Sequence, residues 1–193
     1  MSNSTFKVVG FTLIETLITM AILIALITIA IPSFADFTIR MRVDNELSIL
    51  QRQLFITRNT AINENSFVTL CPLNEKNECH NQWKDQLSVF TDLNNNKVYE
   101  FSLGERMVSE KSAIKNGDTL QYGKTRTGLT YAPTGHLAGW GQNATFKYCP
   151  NNHLDKSRGI VIAVSGRIYL TSPNNKSNKD RNRSGRLIIC HKR

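Results

Sequence analysis

Enzyme-like residue patterns are missing from this chain. Its 193 residues contain no Ser/His/Asp set, nucleotide-binding loop or zinc-protease motif, so neither catalysis nor a cofactor is indicated. The four cysteines and four histidines include no C-x2-C or H-x3-H spacing. His80 follows Cys79, His153 lies four residues after Cys149 and His191 follows Cys190, but these are not zinc-site spacings, and no metal is expected. Aromatic residues are only 8% of the chain. Acids are scarce late in it: residues 111–193 hold fifteen bases against three acids, whereas residues 1–110 hold nine bases against twelve. The second half therefore accounts for the whole formal net charge of +9.

What is present begins with one long apolar run. Phe11 to Ile31 is 21 residues, which as a helix spans about 31 Å, the thickness of a bilayer's hydrocarbon core. A short basic leader containing Lys7 precedes it, and Glu15 lies inside it. An ionised carboxylate at that depth costs several kcal/mol and needs a partner; the alternative is that it snorkels to the interface from its place near the helix end. A secretory signal carries a small-residue cleavage site behind a short apolar core. Here the run is longer, no such site follows it, and Gly10 stands in front.

The leader, Gly10, Phe11-Thr12-Leu13-Ile14-Glu15 and Pro32 together resemble the type IV prepilin signature. The resemblance covers roughly the first 60 residues. It implies a prepilin peptidase that cuts between Gly10 and Phe11 and methylates the new amino terminus. It also implies assembly with other pilins or pseudopilins through the N-terminal helix, with the Glu15 carboxylate facing the Phe11 amine of a neighbouring subunit. Pro32 matches the family's helix-bending proline. Residues 1–10 are then a leader and residues 11–32 a single span of a bacterial inner membrane, with the rest in the periplasm before incorporation into a pilus or pseudopilus.

From 33 to 63 an amphipathic continuation is expected, with Phe34, Phe37, Met41, Leu47, Leu50, Leu54 and Ile62 recurring at three- and four-residue steps. Its later half is expected to pack under the globular part. Beyond it the period changes. Strand-like runs occur at 67–70, 87–90, 129–131, 144–148, 159–164, 167–170 and 187–190, separated by Asn- and Gly-containing turns, with a tight hairpin at Val164–Arg167. The expected fold class is α+β: a long N-terminal helix packed on an antiparallel β-sheet domain over residues 64–193, pilin-like. Asp92, Asn94 and Asn96 open like an EF-hand loop. Lys97 replaces its glycine and Leu103 its bidentate glutamate, which leaves an Asx-rich hairpin turn instead of that calcium site.

Trp83, the segment Val89–Asn94, Gly104-Glu105-Arg106-Met107 and the Ser-Gly-Arg elements at 165–167 and 184–186 resemble the GspH/FimT branch of minor pilins and pseudopilins. Four cysteines allow three pairings in an oxidising compartment. Cys71 with Cys79 closes a short polar loop, and Cys149 with Cys190 ties the C-terminus to the sheet. Both remain expectations.

The densest bases are Lys176, Lys179, Arg181, Arg183 and Arg186 in a basic loop expected at 173–186, and Lys192 and Arg193 at the C-terminus, with Asp180 opposing them; the polar spacer at 172–178 is expected to be mobile. Together with Arg167 they suit a clamp on the phosphates of double-stranded DNA, binding in a salt-dependent, sequence-independent way. Some members of the resembled branch are DNA receptors in natural transformation, with a Gly-Arg-x-Arg element. Gly185-Arg186-Leu187-Ile188 and Gly166-Arg167-Ile168-Tyr169 each hold only the first arginine. The other reading is a type II secretion pseudopilin that supports protein export and binds no DNA.

Overall fold

The structure, a computed structural model, describes residues 10–123, 125–139, 141, 143–174, 177–182 and 184–190. Residues 1–9 of the expected leader lie outside the described residues, as do Lys176, Arg183, His191, Lys192 and Arg193. The side chains of Pro32 and Lys179 are likewise outside them.

The chain divides into two compact units, residues 1–39 and 40–193, and the division falls within one helix, α1 (Leu13–Asn63). In the first unit the helix carries no charged residue between Glu15 and Asp36. The hydroxyls of Thr16, Thr19 and Thr28 donate to the carbonyls of Leu13, Thr16 and Ala25 at 2.7, 2.9 and 2.8 Å. Each hydroxyl is thereby satisfied inside its own helix, as a water-free environment requires. Among the described residues α1 is long and apolar enough to cross a membrane.

In the second unit the helix has a clear inner face. Val43, Leu47, Leu50, Leu54, Thr57 and Ala61 are buried at steps of three and four residues, the spacing that keeps side chains on one helical stripe. Burying each leucine contributes about 2 kcal/mol relative to exposure. The expected stripe is therefore divided. Leu47, Leu50 and Leu54 belong to the core with Val43, Thr57 and Ala61, while Met41 and Ile62 lie off that face and are exposed; Phe34 and Phe37, in the first unit, are exposed as well.

Among the described residues ten strands follow: β1 (Val68–Pro72), β2 (Leu87–Thr91), β3 (Met107–Lys111), β4 (Thr119–Tyr122), β5 (Leu129–Tyr131), β6 (Ala144–Cys149), β7 (Arg158–Ile162), β8 (Ile168–Leu170), β9 (Ser172–Asn174) and β10 (Ser177–Arg181). One antiparallel sheet has the order β3-β2-β1-β5 and another β4-β6-β7-β8; β9 and β10 pair as a two-stranded ribbon. Val68, Leu70, Val89, Phe90, Leu129 and Tyr131 fill the core of the first sheet, and Tyr122, Phe146, Tyr148, Ile160 and Ile162 that of the second. Trp83 meets Tyr122 and Phe146 edge-on at 5.0 and 5.1 Å, and its indole N–H donates to the Arg126 carbonyl at 2.8 Å.

The helix is also held by charge. Arg42 pairs with Asp118 at 3.1 Å, Glu46 with the buried Lys111 at 2.7 Å, and Asp44 with Arg158. A buried lysine is tolerated only with such a partner.

The hairpin at 164–167 forms between β7 and β8, with Ala163 and Arg167 paired through the Ala163 N–H at 3.0 Å. Two expectations are corrected. Of the segment expected as a loop at 173–186, the described residues of β9 and β10 pair as strands, Ser177 with Asn174 and Arg181 with Ser172. The run 187–190 is not a strand: Leu187 bridges Arg181, while Cys190 is bonded to Cys149 at the end of β6. Its two ends serve different partners, so it crosses between them.

Candidate functional site

The start of α1 carries the capping-box sequence pattern, and the Thr12 half of it is formed. Thr12 precedes the first helical residue, and its Oγ1 accepts the Glu15 N–H at 3.3 Å. Thr-x-x-Glu places a hydroxyl and a carboxylate among the helix's unsatisfied N–H groups, where the helix dipole favours negative charge. Glu15 therefore has a local role in addition to any intermolecular one. The signal was present at Thr12-Leu13-Ile14-Glu15, but the prepilin-like reading of the same residues did not use it. Gly10 and Phe11 lie just ahead of the helix, and Phe11 is 79% exposed.

Both disulfides pair near neighbours in space, Cys71 with Cys79 and Cys149 with Cys190. All four sulfurs are thereby consumed. Among the described residues no group of three or more His, Cys, Asp or Glu is placed to hold a metal. In the Asx-rich connection after β2 the polar side chains are occupied by the backbone. Asp92 accepts the Asn96 and Lys97 N–H groups at 2.9 and 3.1 Å, and Asn96 Oδ1 accepts the Val98 N–H at 2.8 Å. Glu105 accepts from Leu93 and Glu100 at 2.9 and 2.7 Å. Burial raises its carboxyl above the usual glutamate range, with these two N–H groups opposing the shift.

Of the described C-terminal bases, Arg181, Arg186 and Arg167 are exposed. Arg181 and Arg186 come to one end of the β9–β10 ribbon, because the Arg181–Leu187 bridge closes a turn in which Asn182 Oδ1 accepts the Arg186 N–H at 2.8 Å. Arg167 belongs to a different turn, the β7–β8 hairpin. Asp180 does not oppose these charges. It is buried, accepting from Arg158 Nε at 2.9 Å and the Thr171 hydroxyl at 2.7 Å.

The two Ser-Gly-Arg elements differ physically. Gly166 has φ +74°, and a Cβ there would stand 2.0 Å from the Gly135 carbonyl oxygen, so only glycine fits. Arg58 Nε and the Tyr131 hydroxyl donate to the Gly135 and Gly166 carbonyls at 3.0 and 3.3 Å. A Cβ on Gly185 would meet nothing within 4 Å. The first element is a packing feature; the second is an open turn.

The described residues form a long N-terminal helix, apolar at its start, and an antiparallel domain braced by two disulfides. The family model of the type II transport protein GspH matches residues 49–166. That is more than half of the chain, and the chain belongs to the GspH family. Comparison with curated proteins finds no match. Among solved structures, the type IV minor pilin FimU of Pseudomonas aeruginosa superposes with a TM-score of 0.56 at 21% identity, covering 70% of this chain and 92% of that one. A second crystal form of FimU gives 0.50 at 21% identity, with 65% and 89% covered. The minor pseudopilin EpsH of the Vibrio cholerae type 2 secretion system gives 0.48 at 12% identity, with 69% and 99% covered. The likeness to FimU shows a shared fold: a long N-terminal helix followed by antiparallel sheets.

Proposed function

We propose that this GspH-family chain is a minor pilin anchored in the inner membrane by α1, with its sheet domain in the periplasm. A prepilin peptidase removes residues 1–10 and methylates Phe11. The helix then docks among those of other pilins, with Glu15 facing the Phe11 amine of a neighbour. The observation that carries this is the exposed run from Phe11 to Ile31, most of it in α1, in which Glu15 near the start is the single charged residue. A carboxylate in apolar surroundings is stable when an amine pairs with it. The chain's work in this reading is assembly and contact, with no reaction catalysed. Its test is intact-mass and N-terminal analysis of the full-length chain co-produced with a prepilin peptidase. A mature chain starting at methylated Phe11 is expected, and an uncut chain, or a cut behind the apolar run, overturns the reading.

Within that class a type IV pilus subunit that contacts double-stranded DNA is favoured by the surplus of bases after residue 110 and by the inward position of Asp180. Gel shifts of the detergent-solubilised full chain with duplex DNA at several salt concentrations test it. Binding should fall steeply with salt and be lost when Lys176, Lys179, Arg181, Arg183 and Arg186 are neutralised. No shift at low salt, or one that survives neutralisation, leaves the second reading, a type II secretion pseudopilin supporting export. The match to the type II transport family favours that one.

A further inference from the structure

The loop between β4 and β5, the Lys97 turn and the segment before β6 enclose a pocket of about 380 Å3. Among the described residues Lys97, Thr125, Arg126, Thr127, Gly128 and Gly141 line it, with no acidic side chain among them. Its construction starts at Gly123, which has φ +55°. A Cβ there would come within 2.7 Å of Arg126 Cδ and 2.8 Å of Nε, so the missing side chain lets Arg126 fold back over the turn. The guanidinium lies 5.6 Å from the centre of the Tyr122 ring, while the Arg126 carbonyl is fixed by the Trp83 indole at 2.8 Å.

The opposite wall is tied to the Cys71–Cys79 disulfide. The Cys79 N–H donates to the Lys97 carbonyl at 2.9 Å, and a Cβ on Gly128 would stand 3.4 Å from Cys79 Sγ. Lys97 is further held by its own N–H on Asp92. Arg126 Nη1 is buried and has no acceptor among the described residues. A buried guanidinium N–H without an acceptor is costly, and such groups in native proteins have a reason. Two cations, two threonine hydroxyls and glycine backbone form the donor set that suits a tetrahedral oxyanion, with arginine supplying the planar fork.

We infer that this pocket is a phosphate-binding site, with Arg126 as the principal ligand and Lys97 as the second charge. It takes a phosphate group either as the free ion or as a phosphodiester, and it is independent of the C-terminal bases invoked for DNA contact.

Calorimetric titration of the detergent-solubilised full chain with inorganic phosphate, and separately with a thymidine dinucleotide, tests this at low, chloride-matched ionic strength. Saturable binding of one equivalent is expected. Arg126→Gln should weaken it by about tenfold or more, the loss of one charge-assisted hydrogen bond. Thr125 is exposed, so Thr125→Glu keeps the packing while placing a repelling charge at the pocket; it should weaken binding similarly. Arg181→Gln with Arg186→Gln should leave it within about twofold, as expected for sites without shared partners. Phosphate alone binding identifies the free ion as ligand, and dinucleotide binding identifies the diester. No saturable binding of either probe overturns the site. So does binding that both pocket variants leave unchanged, or that only the Arg181/Arg186 pair removes.

Discussion

Arg158 of β7 donates from Nε to Oδ2 of Asp180 at 2.9 Å, and that contact turns the only acid of the 172–193 segment into the protein. The same guanidinium pairs with Asp44 of α1, so one arginine joins the helix, the sheet and the ribbon. The exposed Arg181 and Arg186 are thereby left with no acid of their own segment facing them at the surface.

Removing this acid should be costly. Asp180→Ala leaves the half-buried Arg158 with Asp44 and leaves the Thr171 hydroxyl without its acceptor, a loss of about 2–3 kcal/mol. Urea unfolding at neutral pH reads it directly. A midpoint unchanged from wild type shows that the contact carries no stability.

The two disulfides should differ in weight. Cys149 and Cys190 are 41 residues apart and Cys71 and Cys79 are 8 apart. In the chain-entropy account the longer loop stabilises by about 4 kcal/mol and the shorter by about 2.5 kcal/mol. Cys149→Ser with Cys190→Ser should therefore lower the denaturant midpoint more than Cys71→Ser with Cys79→Ser. The reverse order would show that local strain or packing, rather than loop closure, sets the balance.

Capping and docking can be separated at Glu15. Glu15→Gln keeps a side chain able to serve the capping box but removes the charge that a neighbouring amine would meet. If the charge pair drives assembly, Glu15→Gln and Glu15→Ala are incorporated into filaments equally poorly. Thr12→Ala should cost about 1 kcal/mol of helix stability and leave incorporation largely intact. Normal filament content for Glu15→Gln would reduce the residue to a cap.

Glycines 166 and 185 make a matched pair of substitutions. Both have positive φ, which costs an alanine about 1–2 kcal/mol. Gly166→Ala adds a collision with the Gly135 carbonyl and should cost several kcal/mol in total, typical of overpacking on top of backbone strain. Gly185→Ala meets open space and should stay near the backbone cost alone. Thermal melts of the two variants settle the contrast.

Alkaline pH should unfold the domain through its buried phenols. Burial pushes Tyr122 up to about 12, with Arg126 opposing the shift. Tyr131 and Tyr148 are driven upward by burial, and Tyr148 also by its 2.5 Å hydrogen bond to Asp118. A raised folded-state value stabilises the fold below the unfolded value of about 10, and that stability is lost as pH rises through the folded value. Three of the five tyrosines should give no phenolate absorbance until the domain unfolds. Their smooth titration near pH 10 in the folded chain would contradict this.

Much of the fold was legible because periodicity reports burial. Leu47, Leu50 and Leu54 were identified by their spacing, and the runs at 87–90 and 129–131 by β-forming residues between turn formers. β3 and β4 were not. Met107-Val108-Ser109-Glu110-Lys111 carries two charges, and its lysine is inside only because Glu46 of the helix meets it. Leu187–Cys190 looked like a strand because four apolar residues follow one another. Its partners, Arg181 and Cys149, pull it in two directions, and neither is visible from the run.

Sequence alone determined the apolar length of α1, the acid near its start, the change from helical to strand period near residue 64 and the excess of bases after residue 110. All of these are local counts or spacings. Tertiary structure decided which cysteines meet, that Asp180 faces Arg158 instead of its basic neighbours, and that Gly123 makes room for Arg126 above a pocket. Asp180 and Cys190 meet partners 22 and 41 residues away, and Gly123 admits Arg126 through a backbone φ of +55°; residue spacing fixes neither a distant meeting nor the φ of a turn.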